Sequence, residues 1–375
     1  MIEVKEAVTR RQQKEFLEFP NILYRGCPYY VPPLYLDERK IFHSDYIYYD
    51  TSEAVYFNAY RDGVMAGRIS GILQCSSNEK WGQKRVRFIR FDVINDFEVA
   101  RALFDAVEKW AKEKGMEEVV GPLGFSDLER EGLLIEGFDQ MSTFEEAYNY
   151  EYYGPFIERL GYSKEVDWVE SQVRYPKDKE SADEIRKMAE FVCRRYKLHL
   201  GEARNGKEFL DRYKDGFFDI LDRSYEKVYG TVPFTDKMKK LLIDNFNLVI
   251  DEKHACVILD EHGTVIAMGI CFPDISKAMR TAGGRLTPLA LVRALRAIRN
   301  PEVLGLGLIG VDPEWENRGV SIIIANELVK MLSNPHLKYA DTNLNLEDNA
   351  AIQNLWKRFD TKQNKCRRSY VKKLI

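Results

Sequence analysis

The sequence predicts an α/β protein of two similar units in tandem, each a mixed, mostly antiparallel sheet flanked by helices. Three observations predict it. At 375 residues the chain exceeds the usual size of one compact core. An ordered set of local patterns occurs twice along it. In each half, strand-like alternation gives way to helical spacing in the same order, which is the pattern of helices covering a sheet.

The repeat has three parts. Residues 2–6 alternate like a strand and lead through Ala7 into a helix carrying Lys14-Glu15-Phe16-Leu17, and residues 197–202 lead through Ala203 into Lys207-Glu208-Phe209-Leu210. A hairpin follows in each half: 55–60, Arg61-Asp62-Gly63 and 64–73, against 255–259, Asp260-Glu261-His262-Gly263 and 264–272. Near each end an asparagine precedes a helix: Asn149 before an aromatic-rich run closing on Leu160-Gly161-Tyr162, and Asn349 before 350–359.

Further elements fill the same frame. In the first half, 86–93 reads as a strand, 98–114 as a helix stopped by Gly115, and 117–120 as a strand. In the second, 304–311 reads as a strand, 319–332 as a helix, 339–346 as a strand and 349–359 as a helix. Between the halves, Tyr175-Pro176-Lys177-Asp178-Lys179-Glu180-Ser181 combines a proline with a charge run, the composition of an exposed linker. Two domains are therefore expected, 1–175 and 182–375. The second opens on a docking helix over 182–196, with Ile185, Met188, Ala189 and Val192 at helical spacing.

Composition narrows the function classes. Hydrophobic residues make up 45% and charged residues 31%, the balance of a globular chain. The 56 Lys and Arg against 59 Asp and Glu leave a net charge of -3, too even to predict capture of nucleic acid or an anionic membrane. No segment approaches the roughly 18 apolar residues that cross a bilayer, so a cytoplasmic protein is expected. Six scattered cysteines and five histidines show no ligand spacing, which predicts neither metal site nor disulfide framework.

The chemistry-bearing run lies in the second half. The apolar strand ends at Val311 and enters Asp312-Pro313-Glu314-Trp315-Glu316-Asn317-Arg318-Gly319-Val320-Ser321 before an apolar helix. A strand, a glycine-containing turn and a helix form an anion cradle, because unpaired N–H groups and the helix dipole both favour negative charge. A plain strand-to-helix turn is the other reading of the same residues. Downstream stands Glu347-Asp348-Asn349-Ala350-Ala351-Ile352-Gln353-Asn354-Leu355-Trp356.

These two runs resemble the GNAT acyltransferase superfamily, whose Gln/Arg-x-x-Gly-x-Gly/Ala turn holds the coenzyme A pyrophosphate and whose Asn-x-x-Ala-x-x-Leu-Tyr helix touches the pantetheine arm. Here Glu316 stands at the Gln/Arg position, Gly319 keeps the central glycine, Ser321 replaces the last small residue, and Trp356 replaces the tyrosine that often protonates the departing thiolate. An indole cannot serve as that acid near neutral pH. The whole chain is also similar to a little-described group of tandem GNAT-like bacterial proteins, with Gly121-Pro122-Leu123-Gly124-Phe125-Ser126, Gly137-Phe138-Asp139 and Tyr152-Tyr153 among the shared elements.

The resemblance implies acetyl-CoA or another acyl-CoA as co-substrate, bound by Val311, Asn317, Arg318, Gly319, Val320, Ser321 and Asn349. It implies a small-molecule amine or peptide as acceptor. Tyr370 and Tyr339 are possible acids by residue type, and Asp312, Glu314 and Glu347 possible bases; a core, cap or surface role is open to each. Tyr152 and Tyr153, among carboxylates, suit a cationic or amphipathic acceptor or a loop packed on its own domain. The first half lacks a glycine after Asp96 and is expected to bind no coenzyme.

The leading expectation is an acyl-CoA-dependent N-acyltransferase, as monomer or homodimer, without metal, nucleic acid or membrane. A catalytically inactive acyl-CoA-binding or scaffold protein is the alternative, and transfer from aminoacyl-tRNA a third class, disfavoured by the even charge. The Gly305-x-Gly307-x-x-Gly310 run lies within a strand, so it does not read as a dinucleotide fingerprint. The basic segment 277–300, with Arg280, Arg285, Arg293, Arg296 and Arg299 among leucines, reads as a solvated face or a surface for an acidic partner.

Overall fold

The computed structural model describes residues 1–374, apart from the side chains of 247–249. The first half of the chain runs β1 (Ile2–Glu6), α1 (Arg10–Leu23), α2 (Tyr35–Glu38), β2 (Ser52–Arg61), β3 (Val64–Gln74), α3 (Cys75–Trp81), β4 (Arg85–Val93), α4 (Phe97–Glu113), β5 (Glu118–Gly121), β6 (Leu133–Glu136), α5 (Tyr153–Arg159) and β7 (Ser163–Arg174). The second runs α6 (Lys179–Tyr196), β8 (His199–Leu200), α7 (Gly206–Ser224), α8 (Asp236–Val249), β9 (Ala255–Leu259) and β10 (Val265–Pro273). It continues with α9 (Ser276–Arg280), α10 (Pro288–Arg299), β11 (Val303–Val311), α11 (Ser321–Leu332), β12 (Tyr339–Thr342), β13 (Asn345–Leu346), α12 (Ala350–Trp356) and β14 (Asp360–Lys373).

The chain divides into two compact units: Met1–Trp168 with Ile275–Ala294 and Lys365–Ile375, and Val169–Asp274 with Leu295–Asn364. A single cut near 176–181 was expected, and the units are instead built from interleaved stretches. The reason is strand pairing. The end of β7 pairs with β12 through Ala340↔Val173 and Asp341↔Gln172. The end of β14 pairs with β5 through Tyr370↔Gly121 to Lys373↔Glu118. The residues from Ile275 to Ala294 pack with Val31, Met141 and Phe144 of the first unit.

In the first unit, β1, β2, β3 and β4 are antiparallel neighbours and β4 pairs parallel with β5. Helix α4 covers one face. Val99, Ala100, Leu103, Phe104, Val107 and Ala111 recur at helical spacing and are buried against Ile69, Phe88 and Phe91. Gly71 lets Trp110 approach, since a Cβ there would lie 3.1 Å from the indole.

In the second unit, β8, β9, β10 and β11 are antiparallel neighbours and β11 pairs parallel with β12. Helices α6 and α11 pack on one face, burying Ile185, Ala189, Val192, Ile322, Ile323, Ala325 and Leu328. Helix α7 covers the other, with Phe209, Phe217, Ile220 and Leu221 against Val257, Met268 and Ile270. Both units thus carry a sheet between helical layers. Among the described residues no helix is long and apolar enough to cross a membrane.

Candidate functional site

The second unit opens its sheet where β11 outruns β12. Their parallel pairing goes from Val303↔Tyr339 to Leu306↔Thr342, and Gly307–Val311 continues without a partner on β12. On its other side β11 bulges against β10. Ile270 faces Leu308 and Cys271 faces Leu306, which leaves Gly307 as the extra residue. Only glycine fits there, because a Cβ would lie 2.2 Å from Cε2 of Phe272. The Gly307 carbonyl accepts from Asn343 Nδ2 at 3.3 Å. Leu306, Leu308 and Ile309 are half-buried.

Beyond Val311 the chain turns through Asp312-Pro313-Glu314-Trp315 into the loop before α11. Asp312 is buried, accepts from the Glu314 N–H at 2.9 Å, and pairs with Arg223 of α7 at 2.6 Å. Asn317 and Gly319 have φ of 59° and 78°, and this alternation turns successive peptide N–H groups outward. Arg318 lies 4.7 Å over the Trp315 ring, and Glu316, Asn317, Arg318 and Gly319 are exposed. Among the described residues the N–H groups of Asn317, Gly319, Val320 and Ser321 have no hydrogen-bond partner. Helix α11 begins at the N-cap Val320, which is buried, without a side-chain cap, so no side chain compensates its dipole.

The corresponding helix of the first unit is closed. Asp96 caps α4 by accepting from the Glu98 N–H at 3.0 Å, which places a carboxylate where an incoming anion would sit. The end of β4 is also saturated. The Val93 N–H donates to Tyr153 Oη at 2.9 Å, and Tyr152 Oη donates to the Val93 carbonyl at 2.7 Å. Tyr153 is fully buried and shares a 3.0 Å hydrogen bond with Tyr24, which in turn donates to Asp92. Burial, with Asp92 beside it, pushes the Tyr153 phenol well above its ordinary range.

The β4 bulge of the first unit carries Arg90, with φ of 54°, where the second unit has a glycine. Its guanidinium holds Glu38 through contacts of 3.1 and 3.2 Å. Burial alone raises the Glu38 carboxyl, but Arg90, Arg68 and Arg130 outweigh it and hold it below the usual carboxylate range. The recess between Glu38, Arg68, Tyr30, Pro32 and Pro33 has a volume of only 10 Å³, about one water.

The structure gathers Val311, Asn317, Arg318, Gly319, Val320 and Ser321 along one strand-to-helix connection of the second unit. Asn349 stands at the N-cap of α12, where its side chain accepts from the Ile352 N–H at 3.2 Å. Glu347 is exposed just before it. The Trp356 indole is buried and donates to Asn345 Oδ1 at 2.8 Å, so its one donor is spent inside the unit.

Tyr370 belongs to the first unit. It is 1% exposed, pairs in the sheet with Gly121 and donates to Glu158 at 3.2 Å. Burial and Glu158 push its phenol up to about 12. Tyr152 and Tyr153 lie in that unit too, on the Val93 backbone. Sequence reasoning passed over two residues that the fold sets on the β11 edge: Arg223, which ties down Asp312, and Tyr225, whose Oη donates to the Ile309 carbonyl at 3.2 Å. Their sequence signal was slight, one polar turn of an amphipathic helix end. Among the described residues no group of three His, Cys, Asp or Glu could hold a metal ion.

No family model matches the chain. Two curated proteins are similar along most of their length. "Protein YghO" of Escherichia coli (strain K12) is 25% identical over 389 residues, covering 99% of this chain and 95% of that one. "Bacterial ceramide synthase" of Caulobacter vibrioides (strain NA1000 / CB15N) is 26% identical over 317 residues, covering 82% and 80%.

Solved structures agree on the fold. A tandem GNAT protein from the clavulanic acid biosynthesis pathway superposes with a TM-score of 0.56 at 10% identity, covering 100% of this chain and 99% of that one. A GCN5-related N-acetyltransferase from Sphaerobacter thermophilus gives 0.51 at 11% identity, covering 100% and 96%. This protein therefore has the fold of the tandem GNAT acetyltransferases.

Proposed function

We propose that the second unit is an acyl-CoA-dependent N-acyltransferase site. The observation that carries this reading is the row of unpaired N–H groups at Asn317, Gly319, Val320 and Ser321, at a helix start that no side chain caps. Those donors and the α11 dipole would hold the pyrophosphate. Arg318 adds a positive charge, which offsets Glu316. The edge of β11 from Gly307 to Val311, unpartnered by β12, offers backbone groups to the pantetheine arm and the thioester, and half-buried Leu306 and Ile309, which share one face, suit an aliphatic acyl chain.

The reaction needs little from acid–base groups. The lone pair of a neutral amine attacks the thioester carbonyl, the C–N bond forms and the C–S bond breaks. The proton shed by nitrogen balances the thiolate that leaves. Holding the two reactants together supplies most of the acceleration. Tyr225 is the phenol we assign to hand a proton to the thiolate, a step in which its O–H gives up the bond it makes to the Ile309 carbonyl. Asp312 is engaged by Arg223, and Tyr370 is buried and donates to Glu158, which makes both less suited than their residue types suggested.

The acceptor class we propose is supported by the name of the Caulobacter relative, a ceramide synthase. A ceramide is a fatty amide of a long-chain amino alcohol, so a long-chain amine acylated from a fatty acyl-CoA fits both that name and the apolar strand. Calorimetric titration with acetyl-CoA and palmitoyl-CoA, followed by turnover with sphinganine, tests it. Binding with amide formation is the expected result; absence of heat and of thermal protection with either thioester overturns it. A second reading, binding without transfer, is favoured by Trp356, whose indole is committed to Asn345. It predicts heat with no amide from any amine offered.

A further inference from the structure

Helix α10 is packed inside out. Its small residues Ala290 and Ala294 are 2% and 5% exposed, whereas Leu289, Val292 and Leu295 are 59%, 63% and 45% exposed. The buried pair is spaced i, i+4 and the exposed trio i, i+3, so each set keeps to one face of the helix. A helix that only covers a core does the reverse, with leucines inward. Five of the twelve large apolar side chains exposed among the described residues fall between Leu286 and Leu295, which makes this a patch rather than scattered surface.

Charge follows the same face. From Ser276 to Pro301 the chain has Lys277, Arg280, Arg285, Arg293, Arg296 and Arg299 and no acidic residue. Several of these are tied down nearby: Arg285 pairs with Glu18, Arg280 donates to the Pro28 carbonyl, and Arg293 donates to Thr281. Arg296 and Arg299 have no ion-pair partner among the described residues, and both are exposed beside Val292 and Leu295. An even net charge, the ground for expecting no membrane, conceals this local excess.

We propose that α10 and the turn before it form a face that docks on the surface of an anionic phospholipid bilayer. Leu289, Val292 and Leu295 would enter the acyl boundary while Arg296 and Arg299 reach the headgroup phosphates. A helix of this length lies in the interface and does not span it. Leucines beside unpaired arginines on one exposed helix face are the pattern of an interfacial helix, and a bilayer with anionic headgroups uses both.

The test is flotation of the full-length protein, without substrate, on vesicles of phosphatidylcholine alone and of phosphatidylcholine with phosphatidylglycerol. Wild type should float with the anionic vesicles and release as salt rises. Leu289→Asp with Val292→Asp should weaken that binding by about tenfold or more. Arg296→Gln with Arg299→Gln should weaken it by roughly 25-fold, about fivefold per arginine. All four positions are surface side chains, and circular dichroism checks that the variants remain folded.

A wild-type protein that stays below both vesicle types overturns the proposal, as do variants that float like wild type. So does a Leu289→Asp, Val292→Asp protein that changes from dimer to monomer with unchanged flotation, which would assign the face to a second copy of the chain. Failure to float leaves acyl transfer standing, and failure to bind a thioester leaves docking standing.

Discussion

Arg223 grips Asp312 with two nitrogens, Nη1 to Oδ2 at 2.6 Å and Nη2 to Oδ1 at 2.8 Å. The carboxylate is buried and the guanidinium half-exposed, so the pair anchors the turn after β11 to the end of α7.

Asp312→Asn should therefore lower stability by about 1–2 kcal/mol, after allowing for the solvent that screens Arg223. Arg223→Met should do much the same, and the double variant should be no worse than either single one, because all three lose the same contact. Thermal melts check this. Loss of a general base would instead lower kcat by ~10²-fold or more in Asp312→Asn alone, with stability little changed.

Gly319 has φ of 78°, and a Cβ there would lie 3.4 Å from Val192. Gly319→Val strains the turn by about 1–2 kcal/mol and sets a branched side chain beside the unpaired N–H groups. Calorimetry should show affinity for acyl-CoA falling by at least about tenfold, a change of 1.4 kcal/mol. Unchanged affinity would place the coenzyme elsewhere.

Two phenols separate the roles left open by Trp356. Tyr225→Phe, on the β11 edge, should lower kcat without raising KM for the thioester. Tyr370→Phe should leave kcat intact and remove the hydrogen bonds to Glu158 and Arg368, worth about 1 kcal/mol each. Steady-state kinetics from neutral to alkaline pH distinguishes them; a kcat lost in Tyr370→Phe alone reverses the assignment.

Glu131 is 4% exposed, and one of its carboxylate oxygens has no hydrogen-bond partner. Burial, with Asp127 and Glu129 adding to it against Arg87, pushes its carboxyl well above the usual range. The folded chain therefore keeps this proton while the unfolded chain releases it above about pH 4.3. Glu131 thus reduces stability progressively as pH rises from that value toward its folded pKa. Glu131→Gln cannot ionise, so its melting temperature should gain on wild type between pH 5 and pH 8, by roughly 2–4 °C per kcal/mol. Parallel melting curves across that range would contradict this.

Local pattern carried much of the architecture. The hairpins around Asp62-Gly63 and His262-Gly263, the helix stopped by Gly115 and the apolar helix after Gly319 all form where periodicity and turn residues place them. The expected strand over 339–346 forms as two short pieces, β12 and β13, and the helix expected over 349–359 ends at Trp356. Partnership was not legible. Nothing in the alternation of Tyr370 and its neighbours says that they pair with Gly121 and Val120, because a strand's pattern records which face is buried and not which strand lies beside it. Tyr370 could be offered as an acid by residue type only, and Tyr225 drew no notice, since reach across a fold has no signature in sequence spacing. The bulge at Gly307 was in view only as a glycine inside a strand.

The interleaving of the chain bears on how such a protein can be divided. A fragment stopped at residue 175 would lack the strand that flanks β5, and one begun at 182 would lack the strand that flanks β12. Each would expose a raw row of backbone donors and acceptors, the template on which strands of other molecules assemble. Half-length expression products should thus be recovered as aggregates.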